Sequence, residues 1–291
     1  MSKASEWAER LGKRPEHAWS TISAQVTETA DLRLSGSGLY SSCPLDFRHV
    51  RRIMKAAILG GGQIGQRHAK NFARLGYDVA VYDPIPARGT VATAAEALDG
   101  ATLAVIATPP LAHIYGVADA LGAGVPWLLI EKPLATTVHD GKTIAAMLRQ
   151  YPAAHAFVGY CLRFALATIR LPAAIEKIGP AREIEAVYSG PHPQAQQPWI
   201  KDYRQGGIVL EHSHILDLIL MRFGMPEAMA VANYEHVFAK LRWSDAMTGL
   251  LAMDFGPLLE TRLKIIGDHG TVEWRRESLS TDPATVENPA A

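Results

Sequence analysis

The sequence predicts an α/β fold, in which an N-terminal Rossmann domain with a parallel, doubly wound sheet precedes an α+β domain with an open, mostly antiparallel sheet. Two observations predict the first domain. Short apolar runs alternate with helical stretches from Lys55 onward, and a glycine-rich loop follows the first run. A third observation predicts the second domain, because several segments after Tyr160 alternate in polarity as half-buried strands do.

Four short apolar runs are predicted to form the parallel sheet. They are separated by stretches with helical periodicity, such as Gln66–Leu75. Buried strands that alternate with helices are typical of a parallel sheet with crossover connections. The runs are Ala56–Leu59, Val79–Tyr82, Leu103–Ala107 and Trp127–Ile130.

The second domain is predicted from three longer segments, Arg182–Ser189, Met247–Phe255 and Thr261–Ile266. We expect the chain to divide into an N-terminal extension, a dinucleotide-binding domain, and a domain for substrate binding and oligomerisation. The extension shows no recognisable chemistry, and Met54 stands where a natural start codon would, which is a hypothesis about the native protein. The expected ranges are 1–53, 54–160 and 161–291.

Composition narrows the class of partner. The chain has 29 basic and 29 acidic residues, so no net field attracts nucleic acid or an anionic membrane. No segment approaches the ~20 apolar residues of a membrane span. The two cysteines, Cys43 and Cys161, are too few for a disulfide framework, which favours a cytoplasmic protein. Because polymeric anions are set aside as partners, the expected partner is a small-molecule substrate.

The segment Ile58–Gly65 (ILGGGQIG) carries the spacing G-x-G-x-x-G between a predicted strand and a predicted helix. The first glycine permits a tight turn, the second lets the backbone approach a pyrophosphate, and the third lets the helix pack on the strand. The amides at the helix N-terminus add partial positive charge. The segment therefore predicts a dinucleotide site formed by Gly60, Gly62, Gln63, Ile64 and Gly65.

Asp83 ends the second predicted strand, about 20 residues beyond the glycine loop. A carboxylate at that point can accept hydrogen bonds from the hydroxyls of the adenosine ribose, which favours NAD over NADP. Arg88 lies near enough to accommodate a 2′-phosphate, so NADP stays open.

Four segments together resemble the glucose-fructose oxidoreductase and inositol dehydrogenase (Gfo/Idh/MocA) family. The resemblance runs from Lys55 to Trp274 and implies a Rossmann domain followed by an open sheet whose face carries the substrate site. The segments are Ala107–Pro110 (ATPP), Glu131–Pro133 (EKP), Gly159–Phe164 (GYCLRF) and Gly206–Asp217 (GGIVLEHSHILD).

In that family the lysine of E-K-P reaches the reacting hydroxyl or carbonyl, and Lys132 is the matching residue. An ammonium beside the substrate oxygen would stabilise the alkoxide that develops as hydride leaves carbon. The alternative is a solvated lysine that merely follows a strand. The resemblance also implies cofactor contacts for Thr108, Pro109, His113 and Glu131, together with Lys132 itself.

The same resemblance implies that His214 is the acid/base, with Asp217 three residues later. On a continuous helix Glu211, His214 and Asp217 share one broad face, whereas His212 points away. A neighbouring carboxylate would orient the ring of His214 and support its charged form. The alternatives are a structural histidine and a metal site, and we expect no metal because the two histidines would share a face only on a strand.

The resemblance further suggests that Tyr160 and Arg163 frame the nicotinamide and the substrate, and that Trp199 and Tyr203 contribute from the loop before Gly206. Packing is the alternative role for all four. The chain departs from the family pattern at Leu210, where many members carry aspartate, and at Cys161, where asparagine is frequent.

We therefore expect reversible hydride transfer between C4 of a nicotinamide and a secondary alcohol carbon, with a sugar-like, nucleotide-sugar or cyclitol substrate. One alternative is a reductase of an imine or a double bond on the same fold. Another is a non-catalytic regulator that senses the dinucleotide. By analogy with the family, a homo-oligomer, dimer or tetramer, is expected.

Overall fold

The computed structural model describes residues 54–190, 207–232, 237–256, 260–276 and 278–283. The expectations for the extension 1–53, and for Trp199 and Tyr203, lie outside these residues. The described chain forms two compact units. One extends to Tyr160 and the other begins at Cys161.

Within the described residues, the first unit has one sheet of five parallel strands. Each strand is four or five residues long. The central strands β1 and β3 are mostly buried, as expected for strands covered by helices on both faces, whereas the edge strand β5 has no buried residue. The strands are β1 (Lys55–Leu59), β2 (Asp78–Tyr82), β3 (Leu103–Ile106), β4 (Trp127–Ile130) and β5 (His155–Val158).

The strand order is β2-β1-β3-β4-β5, so the direction of winding reverses between β1 and β3. In open parallel sheets, ligands bind outside the carboxyl ends of the strands at such a reversal. Short 3-10 turns follow β2 (Pro86–Arg88) and β3 (Pro110–Ala112). The helices of this unit are α1 (Gln63–Arg74), α2 (Ala94–Leu98), α3 (His113–Gly122) and α4 (Val138–Gln150).

The two faces of this sheet bury different side chains, because residues alternate along each strand. On one face Ile58 and Val105 pack against Phe72 of α1. On the other face Ala57 and Ile106 belong to a larger core that also includes residues of α2, α3 and α4, among them Leu98, Val117, Leu121 and Ile144.

The second unit has a seven-stranded sheet within the described residues, in the order β12-β11-β10-β6-β9-β8-β7. All neighbouring pairs are antiparallel except β6 with β9. The strands are β6 (Ala181–Ser189), β7 (Ala228–Ala232), β8 (Val237–Ser244), β9 (Met247–Asp254), β10 (Glu260–Gly267), β11 (Gly270–Arg275) and β12 (Ser278–Pro283).

Among the described residues of the second unit, the α-helices are α5 (Leu166–Lys177), α6 (Gly207–Glu211) and α7 (Ser213–Phe223). Apolar residues of α5 and α7 share a core with the sheet, in which Trp274 of β11 is fully buried. The indole nitrogen of Trp274 donates a hydrogen bond to Oγ1 of Thr168 on α5, at 3.1 Å. This bond satisfies a polar atom that would otherwise be buried at a cost.

The predicted fold class is confirmed, with a parallel sheet first and a mostly antiparallel sheet after it. The prediction of one continuous helix from Glu211 to Asp217 was wrong. The helix is interrupted at His212, whose backbone (φ −92°, ψ 15°) is not helical. His214 and Asp217 share α7, but Glu211 belongs to α6.

Among the described residues, no helix has the length and apolar character that crossing a membrane requires.

Trp274→Ala tests the core of the second unit. Removal of the buried indole leaves a cavity and an unpaired hydroxyl, so we expect the free energy of unfolding to fall by about 3–5 kcal/mol. Urea unfolding, followed by circular dichroism, measures this loss. The control is Leu75→Ala, because Leu75 is 72% exposed at the end of α1. Equal, small losses for both variants would contradict the packing described.

Candidate active site

The glycine loop joins β1 to α1 at the point where the strand order reverses. Gly60 has a φ of +104°, and a β-carbon built on it would lie 2.5 Å from the carbonyl oxygen of Ala107. A β-carbon on Gly65 would lie 1.8 Å from the carbonyl oxygen of Gly60. Around Gly62 a β-carbon would meet no atom within 4 Å. The loop therefore has no room for a side chain at Gly60 or Gly65, whereas the space beside Gly62 is open.

Asp83, which follows β2, closes the glycine loop from the side. Its carboxylate accepts hydrogen bonds from the backbone N–H groups of Gly61 (2.7 Å) and Ile85 (2.8 Å). Nε2 of the Gln66 side chain donates to the carbonyl oxygens of Gly61 (3.3 Å) and Arg88 (2.8 Å). A carboxylate has about four acceptor positions, so Asp83 keeps capacity for ribose hydroxyls.

Gly61 is a constrained residue that the sequence analysis did not assign. A β-carbon on it would lie 2.2 Å from the carbonyl oxygen of Arg88. The spacing G-x-G-x-x-G leaves this position free, so the pattern alone could not identify it. Arg88 thus contacts the loop through its backbone, while its side chain is exposed.

The loop after β3 carries Thr108 and Pro109. Oγ1 of Thr108 is buried and has no hydrogen-bond partner among the described residues. The carbonyl oxygen of Thr108 lies 3.0 Å from Nε2 of His113. Nδ1 of the same ring lies 3.3 Å from the carbonyl oxygen of Leu134. Burial lowers the pKa of His113, although those carbonyl groups and Glu131 act in the opposite direction. His113 thus connects the loops that follow β3 and β4.

The loop after β4 carries Glu131 and Lys132. Nε2 of His68, on α1, lies 2.6 Å from Oε1 of Glu131, and Oε2 accepts a hydrogen bond from the backbone N–H of Lys132 at 3.1 Å. Burial by itself would raise the pKa of Glu131. The hydrogen bond and charge of His68 and the contacts with Lys132 outweigh burial, and the pKa is lowered.

His68 had no role in the sequence analysis. The signal that could have identified it is its position on α1, the helix that starts at the glycine loop. Its partner lies 63 residues away, however, and no spacing in the sequence relates the two.

In the second unit Arg163 and Asp217 form a bidentate pair. Nε donates to Oδ2 at 2.7 Å, and a terminal nitrogen donates to Oδ1 at 2.5 Å. Burial raises the pKa of Asp217, and the guanidinium of Arg163 acts against that rise. His214 is half-buried on α7, three residues before Asp217. The carboxylate expected to orient His214 thus has Arg163 as a close partner.

His212 is a packed histidine. It is 3% exposed and stacks on Tyr188, with ring centroids 4.4 Å apart. Its Nε2 lies 3.0 Å from the carbonyl oxygen of Asp254. These contacts hold the interruption between α6 and α7 against the sheet. Nothing is described of the side chain of Glu211, and within the described residues no group of three or more His, Cys, Asp or Glu side chains could hold a metal ion.

The remaining residues assigned from the sequence are placed as follows. Gln63 and Ile64 begin α1 and are exposed, and Pro109 is exposed in the loop after β3. Tyr160 is half-buried after β5. The first unit therefore brings together, at the carboxyl ends of β1 to β4, the expected cofactor residues: Gly60, Gly62, Gln63, Ile64, Gly65, Asp83, Thr108, Pro109, His113, Glu131 and Lys132.

Comparisons with known proteins agree with this architecture. Residues 54–160 match the model of an oxidoreductase family with an NAD-binding Rossmann fold (GFO_IDH_MocA). A search of curated protein sequences gave no significant match.

Several solved structures share the fold over most of the chain. UDP-N-acetylglucosamine 3-dehydrogenase GnnA from Acidithiobacillus ferrooxidans is 18% identical over 79% of this chain and 82% of its own, with a TM-score of 0.68. The WlbA dehydrogenase from Bordetella pertussis, in complex with NADH and UDP-GlcNAcA, is 21% identical over 81% of this chain and 78% of its own (TM-score 0.72). Levoglucosan dehydrogenase, in complex with NADH and levoglucosan, is 18% identical over 81% and 77% (TM-score 0.68).

Arg163→Met tests the ion pair of the second unit. At pH 7 it leaves the buried carboxylate of Asp217 without its partner. We expect a loss of about 1–3 kcal/mol in the free energy of unfolding, less than for a fully buried pair because the Arg163 side chain is 39% exposed.

The loss should shrink as the pH falls, because the pKa of Asp217 is raised and the protonated carboxyl needs no cation. Urea unfolding at pH 7 and at pH 4 measures both values. The double variant Arg163→Met with Asp217→Asn should recover part of the loss at pH 7. A loss that stays the same at both pH values would contradict this account.

Proposed function

We propose that the chain transfers hydride between a nicotinamide dinucleotide and a secondary alcohol carbon, because residues 54–160 match the model of an oxidoreductase family with an NAD-binding Rossmann fold. The proposed substrate is a sugar-like molecule, a nucleotide sugar or a cyclitol. One observation carries the proposal: an open glycine loop, a buried hydroxyl group and a lysine all lie at the carboxyl ends of adjacent parallel strands.

The residues fit a dinucleotide at two points. The space beside Gly62 is open, so a pyrophosphate can approach the backbone there. Oγ1 of Thr108 is buried and lacks a partner among the described residues, and such a group calls for a ligand or a water molecule. Gly60, Gly62 and Gly65 would hold the pyrophosphate, Asp83 the ribose hydroxyls, and Thr108, Pro109 and Glu131 the nicotinamide side of the cofactor.

A bound nicotinamide supplies the hydride acceptor or donor. Lys132 is the group that we assign to the substrate oxygen, because its ammonium stabilises negative charge that develops only in the transition state. The neighbouring carboxylate of Glu131 does not stabilise negative charge on the substrate oxygen, and it already binds His68 and the backbone of Lys132. We assign proton transfer to His214, and we assign Tyr160, Arg163, Trp199 and Tyr203 to the substrate.

We also assign Asp217 and Glu211 to the proton relay. The contacts of Asp217 add a second role, the fixing of Arg163. Asp217 is paired with Arg163 in a bidentate contact, so it fixes Arg163 at least as directly as it orients His214. The proposed substrate class is supported by enzymes of similar fold, whose names refer to a nucleotide sugar or to levoglucosan. A homo-oligomer in the cytoplasm stays a prediction.

Lys132→Met tests the assignment of the catalytic lysine. The assay follows the absorbance of reduced nicotinamide with a panel of sugars, nucleotide sugars and cyclitols, each with NAD or NADP. We expect kcat to fall by about 100-fold or more, because charge stabilisation of this kind is typically worth a factor of 10²–10³. The matched control is Lys240→Met on β8, whose side chain is exposed. Full activity in the Lys132 variant would contradict the assignment.

Gly62→Val tests the cofactor site separately from the chemistry. Because the space beside Gly62 is open, the free energy of unfolding should change by less than about 0.5 kcal/mol, as at surface positions. The affinity for NADH, measured by fluorescence titration, should fall more than about tenfold, which corresponds to about 1.4 kcal/mol.

The control for this test is Gly122→Val, since Gly122 ends α3 and a β-carbon there also meets no atom within 4 Å. Unchanged NADH affinity in the Gly62 variant would rule out the proposed pyrophosphate site. Tight NADH binding by the unaltered protein without turnover of any substrate would favour the regulator described above.

A further inference from the structure

The backbone at Lys132 is held by a chain of contacts that begins on the cofactor helix. Nε2 of His68, on α1, is 2.6 Å from Oε1 of Glu131. The second oxygen of Glu131 accepts the backbone N–H of Lys132 at 3.1 Å. His68 thus reaches the residue that carries the proposed chemistry through a single intermediate side chain.

The carboxylate of Glu131 has little freedom to move. Its side chain is 14% exposed, and that of His68 is 19% exposed. A β-carbon on Gly159 would lie 3.1 Å from Oε1 of Glu131, so the backbone after β5 closes against the carboxylate. The backbone N–H of Glu131 donates to the carbonyl oxygen of Ile106 at 2.9 Å, which fixes its main chain to β3.

A buried carboxylate with a cationic or strongly donating partner keeps its geometry better than one without. Burial alone would favour the neutral form of Glu131, but the contact with His68 reverses that preference and the pKa is lowered. The charged carboxylate is acceptor-only, so it can receive N–H groups on both oxygens at once. Removal of His68 would leave Oε1 of Glu131 without this donor and would free the carboxylate to rotate.

We propose that His68 is a positioning residue for Lys132, acting through Glu131: it holds the carboxylate that fixes the backbone N–H of Lys132. The inference rests on the proposed function, since it assigns His68 to the reaction that Lys132 serves. Misplacement of a reacting group by about 1 Å can cost a factor of 10² in rate, so a contact of this kind is sufficient to matter.

The test uses two substitutions at one position. His68→Gln keeps an N–H donor near the place of Nε2, whereas His68→Leu keeps bulk and removes the donor. We expect His68→Leu to lower kcat about tenfold or more, while the KM for the substrate and the affinity for NADH each change less than about twofold. His68→Gln should recover most of kcat.

A structural control distinguishes positioning from general weakening of α1. Ala69→Gly, at the next residue of the helix, weakens α1 because glycine has a low helix propensity, and it leaves the pair of His68 and Glu131 intact. It should leave kcat unchanged. If Ala69→Gly lowers kcat as much as His68→Leu does, His68 is merely structural and the proposal fails.

A second measurement needs neither cofactor nor turnover. Reductive methylation of the full chain, followed by peptide mass spectrometry, gives the rate of modification at each lysine. In His68→Leu the rate at Lys132 should change by a factor of about three or more, with exposed Lys240 as the internal reference, since accessibility of an amine follows its local environment.

The methylation measurement tests the role of His68 even if the unaltered protein turns over no substrate. In that case the proposed function fails, and the role of His68 is judged separately from the methylation rate. An unchanged methylation rate at Lys132 in His68→Leu, or an unchanged kcat where turnover exists, would overturn the positioning role of His68.

Discussion

The close approach of Gly60 to the end of β3 is the constraint on which the first unit depends. β1 and β3 are neighbours in the sheet, but the chain leaves them towards opposite sides, which opens a crevice at their carboxyl ends. Gly60 turns away from β1 with a φ of +104° and lies against the backbone of Ala107. A side chain there would push the two exits apart, and Thr108, which follows Ala107, would move with them.

Hydrogen bonds join the loops at this crevice to one another. Asp83 binds the N–H of Gly61, and His113 joins the loops after β3 and β4. His68 binds Glu131 beside Lys132. The backbone groups of a loop must be paired when water is excluded, and here side chains from neighbouring elements provide the partners. These hydrogen bonds restrict the loops, and a loop that its own contacts restrict loses less freedom on binding.

Much of this arrangement could be predicted from the sequence, because it depends on local pattern. The apolar runs predicted β1 to β4, and the glycine spacing identified the closed positions Gly60 and Gly65. The sequence could not predict pairings between distant residues. Arg163 and Asp217 were each assigned to the site, but their contact spans 54 residues, and no periodicity relates them. The interruption at His212 was missed because its cause, the stacking on Tyr188 and the contact with Asp254, is also distant in sequence.

The carboxyl ends of β1, β3 and β4 are proposed to form one site for a dinucleotide and a reacting oxygen. The most direct test is a crystal structure of the protein grown with NAD. We expect the pyrophosphate over Gly62, the adenosine ribose beside Asp83, and the nicotinamide between Thr108 and Lys132. A dinucleotide bound elsewhere, or one whose nicotinamide lies away from Lys132, would contradict it.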